Sequence, residues 1–257
     1  MSLDLATFID LLPIFRENFS LWSTGLSRQL YEHFLWRQTI HPWGRKHIRY
    51  AVLRRKGAIV SSCKIYSQVI NYRHEQLPFF GIGAVFTPEK YRGFGFAGRL
   101  LAQVIAAAKS EDLYGLYLFS DIGEEFYERF DFVPFADIDF FIDLSCLQTN
   151  NATQSLPRDE DPRVTAHLVS EQSSHSYSLA PGISNELLNE ITCHYQRWLT
   201  KQPFAVYRNE DYFSFKLGKE EFLRRHSSLK WPGKTIWLFR GRPGAIAYAL
   251  TEQVPEL

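Results

Sequence analysis

One stretch, residues 85–101, has the residue types and spacing to do chemistry: VFTPEKYRGFGFAGRLL. An apolar run from Phe79 to Phe86 predicts a strand, and Pro88 ends it because proline has no N–H group for a sheet ladder. Gly93 and Gly95 allow a positive φ and leave the backbone open to a close ligand. A helix is predicted next by apolar residues at helical spacing: Leu100, Leu101, Val104 and Ile105.

A turn that leads into the N-terminus of a helix is a natural site for an anion. The first backbone N–H groups of a helix lack intrahelical partners, and the helix dipole also favours negative charge there. Arg92 and Arg99 add formal positive charge to this stretch. The sequence therefore predicts a cradle for a pyrophosphate group.

A dinucleotide-binding turn is one alternative, because Gly93, Gly95 and Gly98 imitate the spacing G-x-G-x-x-G. That pattern requires an acidic residue about twenty residues further on, at the end of a second parallel strand, and Asp121 could be assigned to it only with difficulty. Arg92, directly before the first glycine, does not belong to the dinucleotide pattern. The stretch instead resembles motif A of the GCN5-related N-acetyltransferases (GNAT), Q/R-x-x-G-x-G/A, which Arg92, Gly95 and Ala97 match.

The resemblance implies an α/β GNAT fold, in which helices flank a mixed, mostly antiparallel central sheet. It also implies that acetyl-CoA or a longer acyl-CoA binds as co-substrate, without a metal. In this family the strand before the turn parts from its neighbour and offers N–H groups to pantetheine and the acyl carbonyl. The cofactor-binding residues implied here are Ala84, Val85, Phe86, Arg92, Gly93, Phe94, Gly95, Phe96, Ala97 and Tyr127.

The elements around the turn are predicted from apolar periodicity. Helices are expected over 5–19, where Pro13 favours a break or kink, and over 28–37, with Ser27 as the cap. Residues 41–44 are expected to form a loop, and 48–53 and 59–69 two strands. Another strand, 113–119, precedes a helix face formed by Phe126, Tyr127 and Phe130, and further strands are expected over 133–135 and 138–144.

The helix that carries Tyr127 resembles the family's motif B, a tyrosine, three residues and then Gly-Phe. Asp131 stands where that glycine is usual, and aspartate tolerates left-handed backbone better than most residues. By the resemblance, Tyr127 is placed to protonate the departing thiolate. The alternative is that Tyr127 is an ordinary core residue on an apolar helix face.

Acyl transfer to an amine also requires a group that removes a proton from the amine. A lysine-type amine has a pKa of about 10.4, so its neutral form costs roughly 4–5 kcal/mol at pH 7. Asp121, Glu124 and Glu125 follow the strand that flanks the predicted acyl site, and each is a candidate base or amine anchor. Alternatively, these carboxylates only complement the dipole at a helix start.

A polar, proline-flanked segment, 148–163, predicts a linker between a GNAT acyltransferase domain, 1–147, and a smaller α+β C-terminal domain, 164–257. Beyond the linker, helices over 185–200 and 211–225 and a hairpin over 235–250 repeat the element order of residues 5–69. This order allows two interpretations, a partial GNAT-like repeat or an unrelated substrate cap. No second R-x-x-G-x-A follows, so no second cofactor site is expected.

Composition excludes several classes of protein. The net charge of +1 gives no field that would recruit nucleic acid or a membrane, and no apolar run is long enough for a membrane span. Three widely spaced cysteines form neither a disulfide framework nor a metal-binding pattern. A cytoplasmic monomer or homodimer is the expectation.

The acceptor is suggested only by resemblance. The segment LFSDIG, 118–123, followed by Phe126 and Tyr127, is similar to the corresponding stretch of fungal lysine N6-acetyltransferases. This implies a lysine- or ornithine-like primary amine, either free or in a peptide. Three hypotheses stay open: transfer to a small-molecule amine, transfer of acetyl or longer groups to a peptide or protein side chain, and a non-catalytic CoA-binding module.

Overall fold

A five-stranded sheet forms the centre of the molecule, and the long strand β2 organises it. The computed structural model describes residues 3–73, 75–120, 122–134, 174–177, 185–229, 235–240 and 246–251. The strands of this sheet are β1 (Ile48–Arg55), β2 (Ala58–Tyr72), β3 (Glu75–Phe86), β4 (Gly115–Leu118) and β6 (Phe204–Val206). The order is β1-β2-β3-β4, and β6 pairs with the far end of β2.

Most of this sheet is antiparallel, as the sequence predicts. The pairs β1–β2, β2–β3 and β2–β6 are antiparallel, and only β4 runs parallel to its neighbour β3. The connection from β3 to β4 contains a short 3₁₀ helix, Glu89–Tyr91, and the helix α4, Phe96–Ser110. A parallel neighbour needs such a crossover, so the glycine-rich turn lies between the two strands that run side by side.

Helices cover both faces of the sheet. The helices α1 (Phe8–Trp22), α2 (Arg28–Ile40) and α3 (Pro42–His47) share one hydrophobic core with β1 and with part of α7 (Glu210–His226). On the opposite face, α4 and the short helix α5 (Glu125–Glu128) pack against β1–β4 in a second core. The mixed α/β architecture predicted from the sequence is therefore confirmed.

The local helix signals are mostly correct. Ser27 caps α2, since its Oγ accepts a hydrogen bond from the N–H of Leu30, as expected. Pro13 lies inside α1, which the structure shows as one continuous helix from Phe8 to Trp22. The predicted loop over 41–44 is wrong: Pro42 begins α3, and the ring nitrogen Nδ1 of His41 accepts from the N–H of Trp43.

The C-terminal elements follow the predicted order. They are α6 (Asn185–Leu199), α7, β7 (Thr235–Arg240) and β8 (Ile246–Thr251), with β5 (Ser174–Tyr177) beside β7 in a separate three-stranded sheet. The linker 148–163 and the predicted strand 138–144 lie outside the described residues, as does Phe135. The predicted strand 133–135 is wrong for its described part, because Val133 and Pro134 belong to no strand. Among the helices that the structure describes, none is long and apolar enough to cross a membrane.

Candidate active site

The last residues of β3 leave the regular ladder on both sides. Lys64 of β2 lies opposite Gly83, and Ser62 lies opposite Phe86, so Ala84 and Val85 together face one residue of β2. This is a β-bulge, and Ala84 takes a positive φ of 47° there. On the other side, the parallel ladder to β4 ends at the pair of Ile82 and Leu118.

The bulge and the end of the ladder lie in the segment that, by the resemblance, offers N–H groups to the acyl carbonyl. Within 83–86, backbone groups are turned out of the β2 ladder and extend beyond the end of pairing with β4. Backbone N–H groups in such a gap are suitable donors for a carbonyl oxygen that develops negative charge. Ser61 holds the end of the strand, because its Oγ donates to the carbonyl oxygen of Phe86 at 3.0 Å.

The glycine-rich turn has the backbone form of an anion site. Gly93 and Gly95 adopt φ values of 79° and 73°, and a Cβ atom added at either would meet no atom within 4 Å. Gly95 is the N-cap residue of α4, so no side chain caps the first N–H groups of this helix. The open space beside both glycines leaves room for a phosphate at this helix start.

Charged and aromatic side chains border this turn. Arg92 is exposed, and its Nε donates to the carbonyl oxygen of Thr87 at 3.2 Å, which closes the turn. Phe96 is buried beneath the helix start, and Phe94 stacks on it with 5.9 Å between ring centroids while staying 62% exposed. The guanidinium of Arg99 lies 5.8 Å from the centroid of the Phe96 ring.

Tyr127 lies in the core that also supports the bulge. It is buried, and the side chains of Phe126 and Phe132 are its ring neighbours at 5.0 and 6.1 Å. Val85, from the bulged segment, packs against the same core. The two parts of the predicted site therefore belong to one packed unit.

Two backbone features attach α5 to the glycine-rich turn. Asp131 takes a left-handed conformation with φ 64°, as expected for a residue that stands where the motif usually has a glycine. A Cβ atom on Gly98 would lie 3.1 Å from the ring of Phe130, so the missing side chain lets this ring pack directly on α4. The position of Tyr127 is thereby coupled to the helix that carries the anion site.

Two of the three candidate carboxylates lie within the described residues. Glu124 and Glu125 are exposed at the start of α5, and the carbonyl oxygen of Glu124 accepts from the N–H groups of Tyr127 and Glu128. Asp121 lies outside the described residues. The base role of Asp121, Glu124 or Glu125, and the acid role of Tyr127, remain predictions.

Sequence reasoning missed a buried polar group on the other face of the bulge. Lys64, directly opposite Gly83, is only 4% exposed, and its Nζ donates to Oε1 of Gln38 at 2.7 Å. Burial lowers the pKa of Lys64 to about 7. Tyr66 and Gln68 follow at the same face of β2, and the hydroxyl of Tyr117 donates to Oε1 of Gln68.

The positive φ of Gly95 leads to a testable difference between two glycines. Gly95→Ala should weaken acyl-CoA binding, because an L-residue in this conformation costs roughly 1–2 kcal/mol and shifts the helix start. Gly57 is the matched control, since it has φ 82° and open space but lies in the β1–β2 turn. Calorimetry should show weaker acyl-CoA binding for Gly95→Ala alone, and equal losses in both variants would contradict a role of the turn in binding.

Comparison with known proteins identifies the part of the chain that contains this site. Residues 15–135 match the family model described as an acetyltransferase (GNAT) domain. No curated protein sequence matches the chain.

Similar solved structures include three acetyltransferases, all of low sequence identity. A ribosomal-protein-alanine N-acetyltransferase from Brucella melitensis biovar Abortus 2308 is 16% identical, with a TM-score of 0.41, over 55% of this chain and 98% of that chain. A Trypanosoma brucei acetyltransferase is 20% identical, with a TM-score of 0.42, over 56% and 99%.

The third is a GNAT family acetyltransferase from Brucella melitensis in complex with acetyl-CoA. It is 16% identical, with a TM-score of 0.39, over 51% of this chain and 82% of that chain. The family-model match spans the bulge, the glycine-rich turn and Tyr127, which are the parts assembled above. Residues 15–135 thus match a GNAT acetyltransferase domain, and this match supports an acyl-CoA-dependent N-acyltransferase.

Proposed function

We propose that this protein transfers an acyl group, acetyl or longer, from acyl-CoA to a lysine- or ornithine-like primary amine by direct attack. The observation that carries the proposal is the bulge at 83–86 beside the uncapped start of α4. One element supplies donors for the acyl carbonyl and the other supplies donors for the pyrophosphate. The bulge and the start of α4 are separated by the end of β3 and the glycine-rich turn, which suits a long ligand such as acyl-CoA.

The proposed steps use residues on both sides of the bulge. One of Asp121, Glu124 and Glu125 takes a proton from the amine, directly or through water, and the neutral nitrogen attacks the thioester carbon. Backbone N–H groups of 83–86 stabilise the oxyanion. When the C–S bond breaks, Tyr127 gives its proton to the sulfur. The nitrogen releases its remaining extra proton to solvent, and the Tyr127 phenolate takes a proton back from solvent, so that the products are an amide and free CoA.

The proposed binding residues follow the same division. Ala84, Val85 and Phe86 contact the acyl and pantetheine part. The backbone of the turn, from Arg92 to Ala97, holds the pyrophosphate. Phe94 supports this role, because its ring is exposed beside the open turn and offers an apolar surface to the ligand.

A peptide or protein side chain, with a fatty acyl donor, is the second candidate function. It is favoured by the apolar side chains exposed where β4 ends, since Phe119 is 82% and Ile122 59% exposed. Exposed apolar side chains of this size suit a long acyl chain or an apolar peptide. A non-catalytic module that only binds CoA is the alternative from another class.

We also propose a division of the chain into two domains. Residues 1–147 would form the acyltransferase domain, 148–163 a linker, and 164–257 a GNAT-like or substrate-cap domain. Pairing of β6 with β2 and packing of α7 on α2 and α3 support the cap interpretation, because both bring C-terminal elements onto the first domain. We further propose that the protein is a cytoplasmic monomer or homodimer.

The experiment is mass spectrometry of the protein incubated with acyl-CoA donors, C2 to C16, and with lysine, ornithine or lysine-containing peptides. Acyl transfer to free lysine or ornithine is the expected result. Transfer of long chains to peptides alone would favour the second function. Tight CoA binding without transfer to any amine would contradict both and favour the non-catalytic module.

A further inference from the structure

A cavity of about 310 Å³ lies between α2 and α7, apart from the glycine-rich turn. Its walls are partly apolar, from Phe34, Ile40, Phe215 and Phe222. Gly218 opens it on the α7 side, because a Cβ atom there would meet nothing within 4 Å. This volume falls in the range of pockets that hold small organic molecules.

Every titratable side chain that lines the cavity is basic: His33, Arg37, His41 and Lys219. The nearby acidic residues of α7 are engaged elsewhere, because Glu220 pairs with Lys216, and Glu221 pairs with Arg224 and Arg225. Among the ion pairs of the described residues, none joins Arg37 or Lys219 to a carboxylate. The charge of Asp211 raises the pKa of His41, but burial of the ring has the larger effect and lowers this pKa.

A second buried cation lies directly behind the wall. Gln38 lines the cavity, and its Oε1 accepts the hydrogen bond from Nζ of Lys64. Lys219 lies over the ring of Phe215, at 5.6 Å from its centroid, and its charge and that of Lys64 oppose each other. Burial is the main cause that lowers both pKa values, that of Lys219 to about 8 and that of Lys64 to about 7.

The charge of Glu220 acts on Lys219 as that of Asp211 acts on His41, but neither carboxylate lines the cavity. A partly apolar wall that carries cations and no carboxylate is complementary to an anion. We propose that the α2–α7 cavity binds a small organic carboxylate, with its charged end at Arg37 and Lys219 and its apolar body against the phenylalanine rings. The guanidinium of Arg37 has the fork of donors that a carboxylate accepts. The basic wall excludes a free cationic amine from the same position.

Two sources of carboxylate share this chemistry. One is the acceptor itself, because Gln38, Lys64 and Gly83 connect the cavity to the bulge through one hydrogen bond and one cross-strand pair. This source rests on the proposed function. The other is a separate effector that binds whether or not acyl transfer occurs.

The first arm of the test measures binding alone, by calorimetry with benzoate, hexanoate and L-lysine, and with neutral benzamide as the matched probe. At least one carboxylate should bind the wild type, and benzamide should not. Lys219→Met should weaken carboxylate binding by about tenfold or more, the loss expected for one charge-assisted hydrogen bond. Lys109→Met, at an exposed position of α4, should leave it unchanged.

The second arm measures acyl transfer to L-lysine and to 1,5-diaminopentane, which lacks the carboxylate. If the acceptor supplies the anion, Lys219→Met raises KM for lysine by about tenfold or more and leaves KM for the diamine unchanged. Unchanged KM values with weaker benzoate binding would identify a separate effector. If no amine is acylated, the proposed function fails while the binding arm still decides the cavity.

Several results would overturn the anion site. These are benzamide bound as tightly as benzoate, carboxylate binding unchanged by the loss of Lys219, or no carboxylate bound at millimolar concentration. Arg37→Gln provides a second variant in case Lys219→Met does not fold. Circular dichroism and the midpoint of thermal unfolding establish which variants are folded.

Discussion

Tyr127→Phe should lower kcat for acyl transfer by roughly 10²–10⁴-fold, the usual contribution of a positioned acid, with little change in acyl-CoA affinity. The ring is buried among Phe126 and Phe132, so removal of one hydroxyl should keep the packing of α5. Without that hydroxyl, the thiolate of CoA would leave unprotonated. Steady-state kinetics with thiol detection gives kcat, and calorimetry gives the affinity for acyl-CoA.

A matched control separates this role from a structural one. Tyr31 is also buried, at 2% exposure, but lies in the core on the other face of the sheet. Tyr31→Phe should leave kcat unchanged. A selenoester analogue of the donor, whose leaving group is a weaker base, should reduce the defect of Tyr127→Phe. Equal kcat losses in the two variants, or a defect that the selenoester does not reduce, would count against Tyr127 as the acid.

The turn and its flanking elements could be predicted because their signals are local. Pro88 ends the strand, two glycines supply the positive φ values, and the apolar spacing of α4 continues directly from them. Asp131 is a similar case, since its left-handed backbone depends on the residue type and on the turn of α5. Such features need only neighbouring residues, so a single sequence contains them.

The helix α3 shows where the local signals mislead. Proline and glycine in 41–44 favour a loop, yet proline also fits the first position of a helix, where its missing N–H group is not needed. Gly44 is required by packing rather than by a turn. A Cβ atom there would lie 1.8 Å from the carbonyl oxygen of Gln38, so only glycine lets α3 follow α2 so closely.

Contacts between distant residues could not be predicted at all. The strand β6 adds to β2 between 70–72 and 204–206, more than 130 residues along the chain. Ser227 and Ser228 donate from the end of α7 to the carbonyl oxygens of Thr24 and Gly25. These contacts place α7 against α2, which creates the basic cavity, and no periodicity in either helix indicates that pairing.

Lys64→Met should stabilise the protein at pH 7 and lose this advantage by pH 10. In the folded protein, burial lowers the pKa of Lys64 from 10.5 to about 7. Between these two values the unfolded chain binds the proton and the folded chain does not, so wild-type stability rises with pH. From this group alone, the destabilisation is roughly 4 kcal/mol at pH 7 and about 1 kcal/mol at pH 10.

Methionine keeps the length of the side chain and removes the ionisable group, but Oε1 of Gln38 then loses its donor, which costs about 1–3 kcal/mol. The variant should therefore gain roughly 1–3 kcal/mol in free energy of unfolding at pH 7, and become equal to or less stable than wild type at pH 10.

Urea unfolding at both pH values measures this change of sign, and Lys109→Met, exposed on α4, should show no such change. A difference between Lys64→Met and wild type that stays constant from pH 7 to pH 10 would mean that Lys64 remains charged in the folded protein. An anion or water beside its ammonium group would then have to compensate its burial opposite Gly83. Urea unfolding at both pH values in saturating benzoate distinguishes an anion from a water beside Lys64. A bound carboxylate raises the pKa of Lys64, and the pH dependence of wild-type stability then becomes smaller.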